Sequence, residues 1–174
     1  MQLLLSSHQL KLTIRRLARQ LTEANPDPAE IVFVGLQPRG KWLSNKIIES
    51  IKEIITEDHI QYGILDITFY RDDFRGEIHI PQETNLMASL EGKTVVLIDD
   101  VLYTGRTIRA ALDALQDFGR PRKVELCVLV DRRFNRELPI QPDYCGVAID
   151  TFKTQKVKID WEKEEAYVFD DGEK

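Results

Sequence analysis

The stretch that most constrains this chain runs from Val95 to Thr107 and reads V-V-L-I-D-D-V-L-Y-T-G-R-T. Four apolar residues precede two adjacent acids, and a short link with one glycine leads into a helical pattern. Adjacent side chains on a strand point to opposite faces, so two consecutive acids do not both fit an ordinary core. The pattern predicts a buried strand over residues 93–98, with the acids just beyond its end and a helix soon after.

The residues at this turn suit a phosphorylated sugar. The carboxylates of Asp99 and Asp100 can accept hydrogen bonds from vicinal hydroxyls, and carboxylates also hold Mg²⁺ directly or through water. Thr104 and Thr107 supply hydroxyls beside the positive end of a helix, where backbone N–H groups bind phosphate. Gly105 permits close approach of the backbone to a ligand. The alternative is a turn with incidental acids, but unused paired acids at a strand end are costly.

The rest of the chain alternates strands with helices, which predicts an α/β domain with a mostly parallel central sheet flanked by helices. A polar, poorly periodic excursion over residues 70–92 predicts a functional lid, in which Ile78 and Ile80 alternate as in a small hairpin. Helical spacing predicts a first helix over residues 7–23 and a helix on each side of the lid. The predicted apolar face of the first helix is Leu10, Ile14, Leu17, Ala18 and Leu21, and that of the helix after the lid is Ile108, Ala111, Leu112, Leu115 and Phe118. Further strands are predicted at residues 31–34, 60–69, 124–130, 146–149, 157–159 and 167–169, the last of them at the edge of a sheet.

The charge of the chain is unevenly distributed. The 174 residues carry a net charge of −5, and the acidic tail over residues 160–174, with seven acids and two lysines, accounts for all of it. A basic face elsewhere is therefore compatible with the acidic total. Lys11, Arg15 and Arg19 repeat every four residues on the first helix, either as a solvated face or as a surface for a polyanion.

The chain length favours one domain over residues 1–174. Its N-terminus has no basic region typical of a signal peptide, and no stretch approaches the roughly 18 apolar residues of a membrane span. Cys127 and Cys145 have no metal-ligand spacing, and we expect free thiols. These features predict a cytoplasmic protein with no membrane partner.

The motif at Val95–Thr107 resembles the ribose-phosphate motif of type I phosphoribosyltransferases, which use phosphoribosyl pyrophosphate (PRPP). Further matches over roughly residues 5–160 resemble, more closely, the PyrR family of bifunctional pyrimidine-attenuation regulators and uracil phosphoribosyltransferases. The resemblance implies the type I phosphoribosyltransferase fold, with a lid and a small hood. The matches are D-D-V-L-Y-T-G-R-T-I-R-A-A-L-D-A-L from Asp99, the Pro38-Arg39-Gly40 turn, Y-R-D-D-F from Tyr70, V-L-V-D-R from Val128 and R-E-L-P-I-Q-P-D-Y-C-G from Arg136.

The resemblance also implies a role for individual residues. Asp99 and Asp100 would bind the ribose hydroxyls, act in catalysis and hold Mg²⁺ indirectly through PRPP, while Arg71 would contact the pyrophosphate. The pyrophosphate loop, which often contains a strained or cis peptide in this family, would be Gln37, Pro38, Arg39 and Gly40, and the base pocket would include Arg132 and Val157. The PRPP motif would be Asp99, Asp100, Val101, Leu102, Tyr103, Thr104, Gly105, Arg106 and Thr107.

The implied reaction converts uracil and PRPP to UMP and diphosphate. The implied regulation is binding to a leader mRNA hairpin, favoured by UMP or UTP, and the family also suggests a homodimer or homotetramer. The RNA face would include Lys11, Arg15, Arg19 and Arg136. Two alternatives stay open, a regulator with weak transferase activity and a transferase without RNA regulation.

Two local features bear on these alternatives. Hypoxanthine-guanine enzymes generally carry an Asp directly before the T-G pair, and Tyr103 at that position favours uracil over a purine. The family pattern D-R-G-H-R-E-L-P is replaced by D-R-R-F-N-R-E-L-P from Asp131, which is one residue longer and lacks the histidine.

Overall fold

The structure is a computed structural model that describes residues 1–55, 60–70, 84–86 and 89–171. The described part contains two sheets and three α-helices. In chain order the elements are β1 (Gln2–Leu5), α1 (Ser7–Ala24), β2 (Ile31–Leu36), α2 (Gly40–Ile54), β3 (Gln61–Leu65), β4 (Thr94–Leu102), α3 (Arg106–Leu115), β5 (Lys123–Arg133), β6 (Tyr144–Asp150), β7 (Gln155–Asp160) and β8 (Glu165–Asp170).

The larger sheet has the strand order β3-β2-β4-β5-β6, and all of its strand pairs are parallel. One apolar cluster on this sheet includes side chains of α1 and α2, and a second includes side chains of α3. Strands covered on both faces consist of nearly continuous apolar runs, as β2 and β4 do. The predicted parallel sheet with flanking helices is confirmed.

The predicted first helix is confirmed at α1, and its buried face is the predicted set Leu10, Ile14, Leu17, Ala18 and Leu21. Ser6 caps its N-terminus, because its hydroxyl accepts from the Gln9 N–H while the Gln9 side chain accepts from the Ser6 N–H. The predicted face of α3 is partly wrong, since Leu112 is 39% exposed.

The hood is a second, three-stranded antiparallel sheet of order β1-β8-β7. The strands predicted at residues 157–159 and 167–169 both belong to it. We expected the latter to be an edge strand, but β8 lies in the centre, because β1 pairs with it from the other end of the chain. Strand β1 was not predicted, because its partner is more than 160 residues away in the chain.

The predicted strand over residues 60–69 is shorter, because β3 ends at Leu65 and a 3₁₀ turn at Thr68–Tyr70 follows. Most of the predicted lid and its hairpin at Ile78 and Ile80 lie outside the described residues. The described residue Asn85 pairs with Ile64 through two backbone hydrogen bonds of 2.9 and 3.0 Å. Within the described ranges, no helix is both long and apolar enough to cross a bilayer.

A turn between β7 and β8 fastens the hood to the helices. The Glu164 carboxylate pairs with Lys11 of α1 at 2.7 Å and with Lys46 of α2 at 2.5 Å. The hydrogen bond from Lys11, followed by the one from Lys46, lowers the pKa of Glu164 to about 2. The charge of Lys11, which we had assigned to an RNA face, is thus already shared with the hood.

We expect Glu164→Gln to lower the free energy of unfolding by about 1 kcal/mol at pH 7, because two partly exposed ion pairs are lost. Since the folded-state pKa lies below the ordinary value of 4.5, this contribution is present above pH 4.5 and disappears as the pH falls toward 2. Urea unfolding at pH 7, 4 and 3 measures the difference between variant and wild type. Glu162→Gln removes a charge from the same turn and serves as the control. A difference that stays constant with pH would contradict the role of the ion pairs.

Candidate active site

The paired acids lie inside β4 and not beyond its end, which corrects the predicted strand boundary. Asp99 and Asp100 are both buried, and β4 continues past them because β5 continues alongside, with Leu102 in register with Asp131. The Asp100 N–H donates to Asp99 Oδ1 at 2.9 Å, and the Val101 N–H donates to Asp100 Oδ1 at 2.7 Å. Burial raises the pKa of Asp100, and the positive charge of Arg39 opposes that rise.

The predicted phosphate loop connects β4 directly to α3. Gly105 has φ of 95°, in the left-handed region that favours glycine, and its carbonyl accepts the Arg109 N–H at 3.0 Å to begin the helix. The Thr104 hydroxyl accepts the Arg106 N–H at 3.4 Å. The chain therefore presents the N-terminus of α3 beside the acids of β4, an arrangement suited to a phosphate group.

A second loop, residues 137–140, packs against the phosphate loop. The Thr104 carbonyl accepts the N–H groups of Glu137 at 3.0 Å and Leu138 at 3.3 Å. A Cβ on Gly105 would lie 3.2 Å from Ile140 Cδ1, and Arg106 Nε pairs with Glu137 at 2.7 Å. Sequence reasoning assigned no role to this loop, although its R-E-L-P-I run was part of the resemblance.

The predicted pyrophosphate loop lies between β2 and α2, with a cis peptide between Gln37 and Pro38. The Gln37 N–H donates to the Leu65 carbonyl at 3.0 Å, which ties this loop to the end of β3. A Cβ on Gly40 would lie 2.4 Å from the Ile98 carbonyl oxygen and 3.0 Å from Asp99 Cα. The loop therefore packs directly against the strand that carries the acids.

Arg132, predicted for the base pocket, is buried and has several partners. Its Nε donates to Thr151 Oγ1 at 3.0 Å, and its Nη2 donates to the Gln155 carbonyl at 2.5 Å. Its guanidinium lies 3.9 Å from the centre of the Tyr103 ring. Burial lowers the pKa of Arg132, and Tyr103 acts in the opposite direction. The side chain of Val157, also predicted for the base pocket, packs in the core with residues of α1 and α2.

Arg136 differs from the exposed RNA contact that we expected. Its side chain is 20% exposed and donates hydrogen bonds to the Tyr103 carbonyl and the Asp131 carboxylate. The turn that follows β5 at Arg133 leads the chain back toward Tyr103, within reach of the Arg136 guanidinium. The structure thus assigns Arg136 to holding two strand ends of the site together.

The last three predicted residues are Arg71, Arg15 and Arg19. Arg71 lies outside the described residues. Arg15 and Arg19 are exposed on α1, which fits both a solvated face and a surface for a polyanion. Arg16 on the same helix donates to the Gly146 carbonyl at 2.5 Å and so fastens α1 to β6.

We expect Gly40→Ala to lower stability by about 1–3 kcal/mol, because the added methyl group meets backbone atoms that cannot move aside cheaply. It should also weaken PRPP binding by about 10–100-fold, since the pyrophosphate loop must shift away from Asp99. Thermal unfolding and titration calorimetry with PRPP measure the two effects.

Gly92→Ala is the control, because its site has φ of 70° but open space around it. That variant should lose about 1 kcal/mol of stability and keep PRPP affinity. Unchanged PRPP affinity in Gly40→Ala would contradict the importance of this contact.

Comparison with solved structures agrees with the fold. A hypoxanthine phosphoribosyltransferase from Staphylococcus aureus matches with a TM-score of 0.68 and 25% sequence identity, covering 87% of this chain and 80% of that one. A hypoxanthine-guanine phosphoribosyltransferase from Bacillus anthracis matches with a TM-score of 0.67 and 19% identity, covering 86% and 82%. Likeness at this level of identity shows the architecture alone.

Comparison of sequences is more specific. The bifunctional protein PyrR of Brevibacillus brevis is 46% identical over 152 residues, which cover 86% of this chain and 84% of that protein. The PyrR protein of Picosynechococcus is 45% identical over 157 residues, covering 90% and 88%. The phosphoribosyl transferase domain family matches residues 2–164. With the acids, the phosphate loop and the pyrophosphate loop in place, the chain belongs to the phosphoribosyl transferase domain family and, within it, to the family of the bifunctional PyrR proteins.

Proposed function

We propose that this chain is a uracil phosphoribosyltransferase, which converts uracil and PRPP to UMP and diphosphate. The observation that carries the proposal is the contact of the pyrophosphate loop with β4 at Gly40, beside Asp99. This contact brings together a diol-binding pair of acids, a phosphate-binding helix end and a pyrophosphate loop. One molecule with a ribose, a terminal phosphate and a pyrophosphate fits all three.

In the proposed reaction, a bond forms between uracil N1 and the anomeric carbon as the bond from that carbon to the pyrophosphate oxygen breaks. The electron pair of the broken bond leaves with diphosphate, and the N1 proton is released. Asp99 and Asp100 orient the ribose ring, and Arg39 balances charge at the pyrophosphate side. The protein's contribution is mainly positioning and electrostatic stabilisation, because positive charge develops on the ribose ring.

The residues present fit a magnesium ion that arrives with PRPP. The described part of the chain contains no cluster of three or more His, Cys, Asp or Glu that would hold a metal ion alone. Mg²⁺ is commonly bound by one or two carboxylates together with substrate phosphates, and Asp99 and Asp100 provide such a pair. When bound, Mg²⁺ would neutralise the charge of the leaving diphosphate.

The choice of uracil is supported by Tyr103 and its neighbours. The Tyr103 ring is covered by the Arg132 guanidinium, and the Tyr103 carbonyl accepts a hydrogen bond from Arg136. An aromatic ring at this position provides no carboxylate for a purine. The solved structures named hypoxanthine enzymes point to a purine, but their likeness concerns the fold.

We expect the purified protein to form UMP from uracil and PRPP, with kcat/KM for hypoxanthine lower by about 100-fold or more. Asp100→Asn should lower kcat with uracil by about 100-fold or more, because one carboxylate that orients the ribose is lost. Product formation by chromatography and steady-state kinetics measure both. Asp113→Asn, an exposed acid on α3, is the matched control and should keep wild-type activity. Preferential turnover of hypoxanthine would overturn the assignment of the base.

We further propose that the protein is cytoplasmic, assembles as a homodimer or homotetramer and regulates pyrimidine genes by binding a leader mRNA hairpin when UMP or UTP occupies the site. The PyrR relatives, named bifunctional, support a second activity. Arg15 and Arg19 on α1 support a polyanion surface, because both are exposed. Nucleotide would act by binding better to the state that also binds RNA.

We expect UMP to strengthen binding to a pyrimidine leader hairpin, and we expect the double variant Arg15→Ala, Arg19→Ala to weaken it. Each lost phosphate contact should reduce the slope of log affinity against log salt by about 1. Fluorescence anisotropy at several salt concentrations, with and without UMP, measures this. Arg122→Ala is the control, because it removes an exposed charge just before the start of β5. This variant should leave the slope of log affinity against log salt unchanged. Absence of UMP-dependent binding at moderate salt would refute the regulatory activity while leaving the transferase reaction intact.

A further inference from the structure

Two phenylalanines stand at the carboxyl edge of the large sheet with their rings in solvent. Phe134, directly after β5, is 80% exposed, and Phe152, two residues after β6, is 79% exposed. The two strands are parallel neighbours, with Arg133 in register with Asp150, so both residues follow the sheet at the same edge. Arg133 pairs with Asp150 at 2.8 Å across these two strand ends. The proposed transferase reaction uses neither ring.

Buried polar groups fasten the two segments to each other. Asn135 is buried, and its Nδ2 donates to the Arg133 carbonyl at 3.1 Å and to the Thr151 carbonyl at 2.7 Å. The Phe152 N–H donates to Gln155 Oε1 at 3.0 Å, and the Gln155 N–H donates back to the Phe152 carbonyl at 3.0 Å. Both exposed rings are therefore carried on segments whose backbone is fixed before any partner arrives.

Phe134 is held in an unfavourable conformation. Its φ of 66° lies in the left-handed region, which is unfavourable for a bulky residue. An exposed aromatic ring adds no compensating burial of apolar surface. A strained backbone that displays a ring in solvent is best explained by a partner that covers the ring.

The size and charge of this surface favour a flat nucleobase over a protein. Two phenylalanine rings offer roughly 200 Å² each, whereas a stable protein interface covers about 800 Å² on each partner. The Arg133 guanidinium lies 5.9 Å from the Phe134 ring centre, and exposed Lys153 follows Phe152. Aromatic rings flanked by cations are the surfaces on which unpaired bases of single-stranded nucleic acid stack.

We propose that Phe134 and Phe152 form a stacking platform for unpaired bases of RNA, such as those in a hairpin loop. This inference rests on the proposed RNA binding and adds a second contact region to it. The arginines of α1 bind phosphates and supply affinity that depends on salt. The platform binds bases and supplies affinity that does not depend on salt, because its rings carry no charge.

The test uses the full-length protein with UMP and a fluorescently labelled pyrimidine leader hairpin at 0.15 M salt, followed by anisotropy. Phe134→Ala and Phe152→Ala should each weaken binding about tenfold, and the double variant about a hundredfold. The salt slope should stay at the wild-type value. Phe134→Trp should keep affinity, whereas Phe134→Leu, which is apolar but not flat, should lose it. Trp42→Ala removes another exposed aromatic residue, on α2, and serves as the matched control.

A second arm identifies the contacted bases. Abasic nucleotides placed singly along the hairpin loop should weaken binding of the wild type at one or two positions. The double phenylalanine variant should show no further loss at those positions, because the partner ring is already absent. Circular dichroism and the uracil transferase rate should be unchanged in every variant.

Each outcome is decisive. If the wild type binds RNA and the double variant binds it equally well, the stacking platform is refuted. The proposed RNA regulation is then unaffected. Equal binding by Phe134→Leu and wild type would exclude base stacking and point to an apolar protein contact. A raised KM for uracil with unchanged RNA affinity would assign the rings to the free base. No RNA binding by the wild type would remove the regulatory proposal and the platform together.

Discussion

The contact between Gly40 and the backbone of Ile98 and Asp99 is the constraint on which the rest of the site depends. Strands β2 and β4 are parallel neighbours, so the loop after β2 and the acids of β4 reach the same edge of the sheet. Only a residue without a side chain lets α2 begin so close to β4. The same closeness brings the charge of Arg39 to Asp100, where it offsets part of the cost of burying that carboxylate.

The turn after β5 supports the other side of the site, again through direct contacts with the end of β4. Arg136 links the Tyr103 carbonyl, at the end of β4, to Asp131 of β5, while Thr104 accepts two N–H groups from residues 137 and 138. The phosphate loop is therefore held from both directions, by its own helix and by a loop more than thirty residues later in the chain. Rigid support of this kind is what positioning catalysis requires, since small displacements of bound substrate reduce rates strongly.

The sequence pattern predicted the structure correctly where the interactions that determine it lie close together in the sequence. The apolar face of α1, the strand-to-helix turn at Gly105 and the parallel order followed from helical spacing, turn chemistry and alternation of elements. Pattern failed where the partner is distant in sequence. The acids lie within β4 because β5 continues beside them, and β8 is central because β1 returns to it. The resemblance assigns Arg136 to an RNA face, because nothing near it in sequence reveals that its guanidinium already donates to Asp131 and Tyr103.

Arg132 gives the transferase and regulatory proposals a common physical basis. Its buried guanidinium contacts the Tyr103 ring on the base side of the site, and it donates to the Gln155 and Phe152 carbonyls in the turn that displays Phe152. A buried cation of this kind keeps its partners, because leaving any of them unsatisfied is costly. A nucleotide that binds against Arg132 therefore meets a guanidinium whose orientation is already set by the Phe152 turn. Under the two proposals, this shared residue ties the position of the nucleotide to the position of the exposed edge.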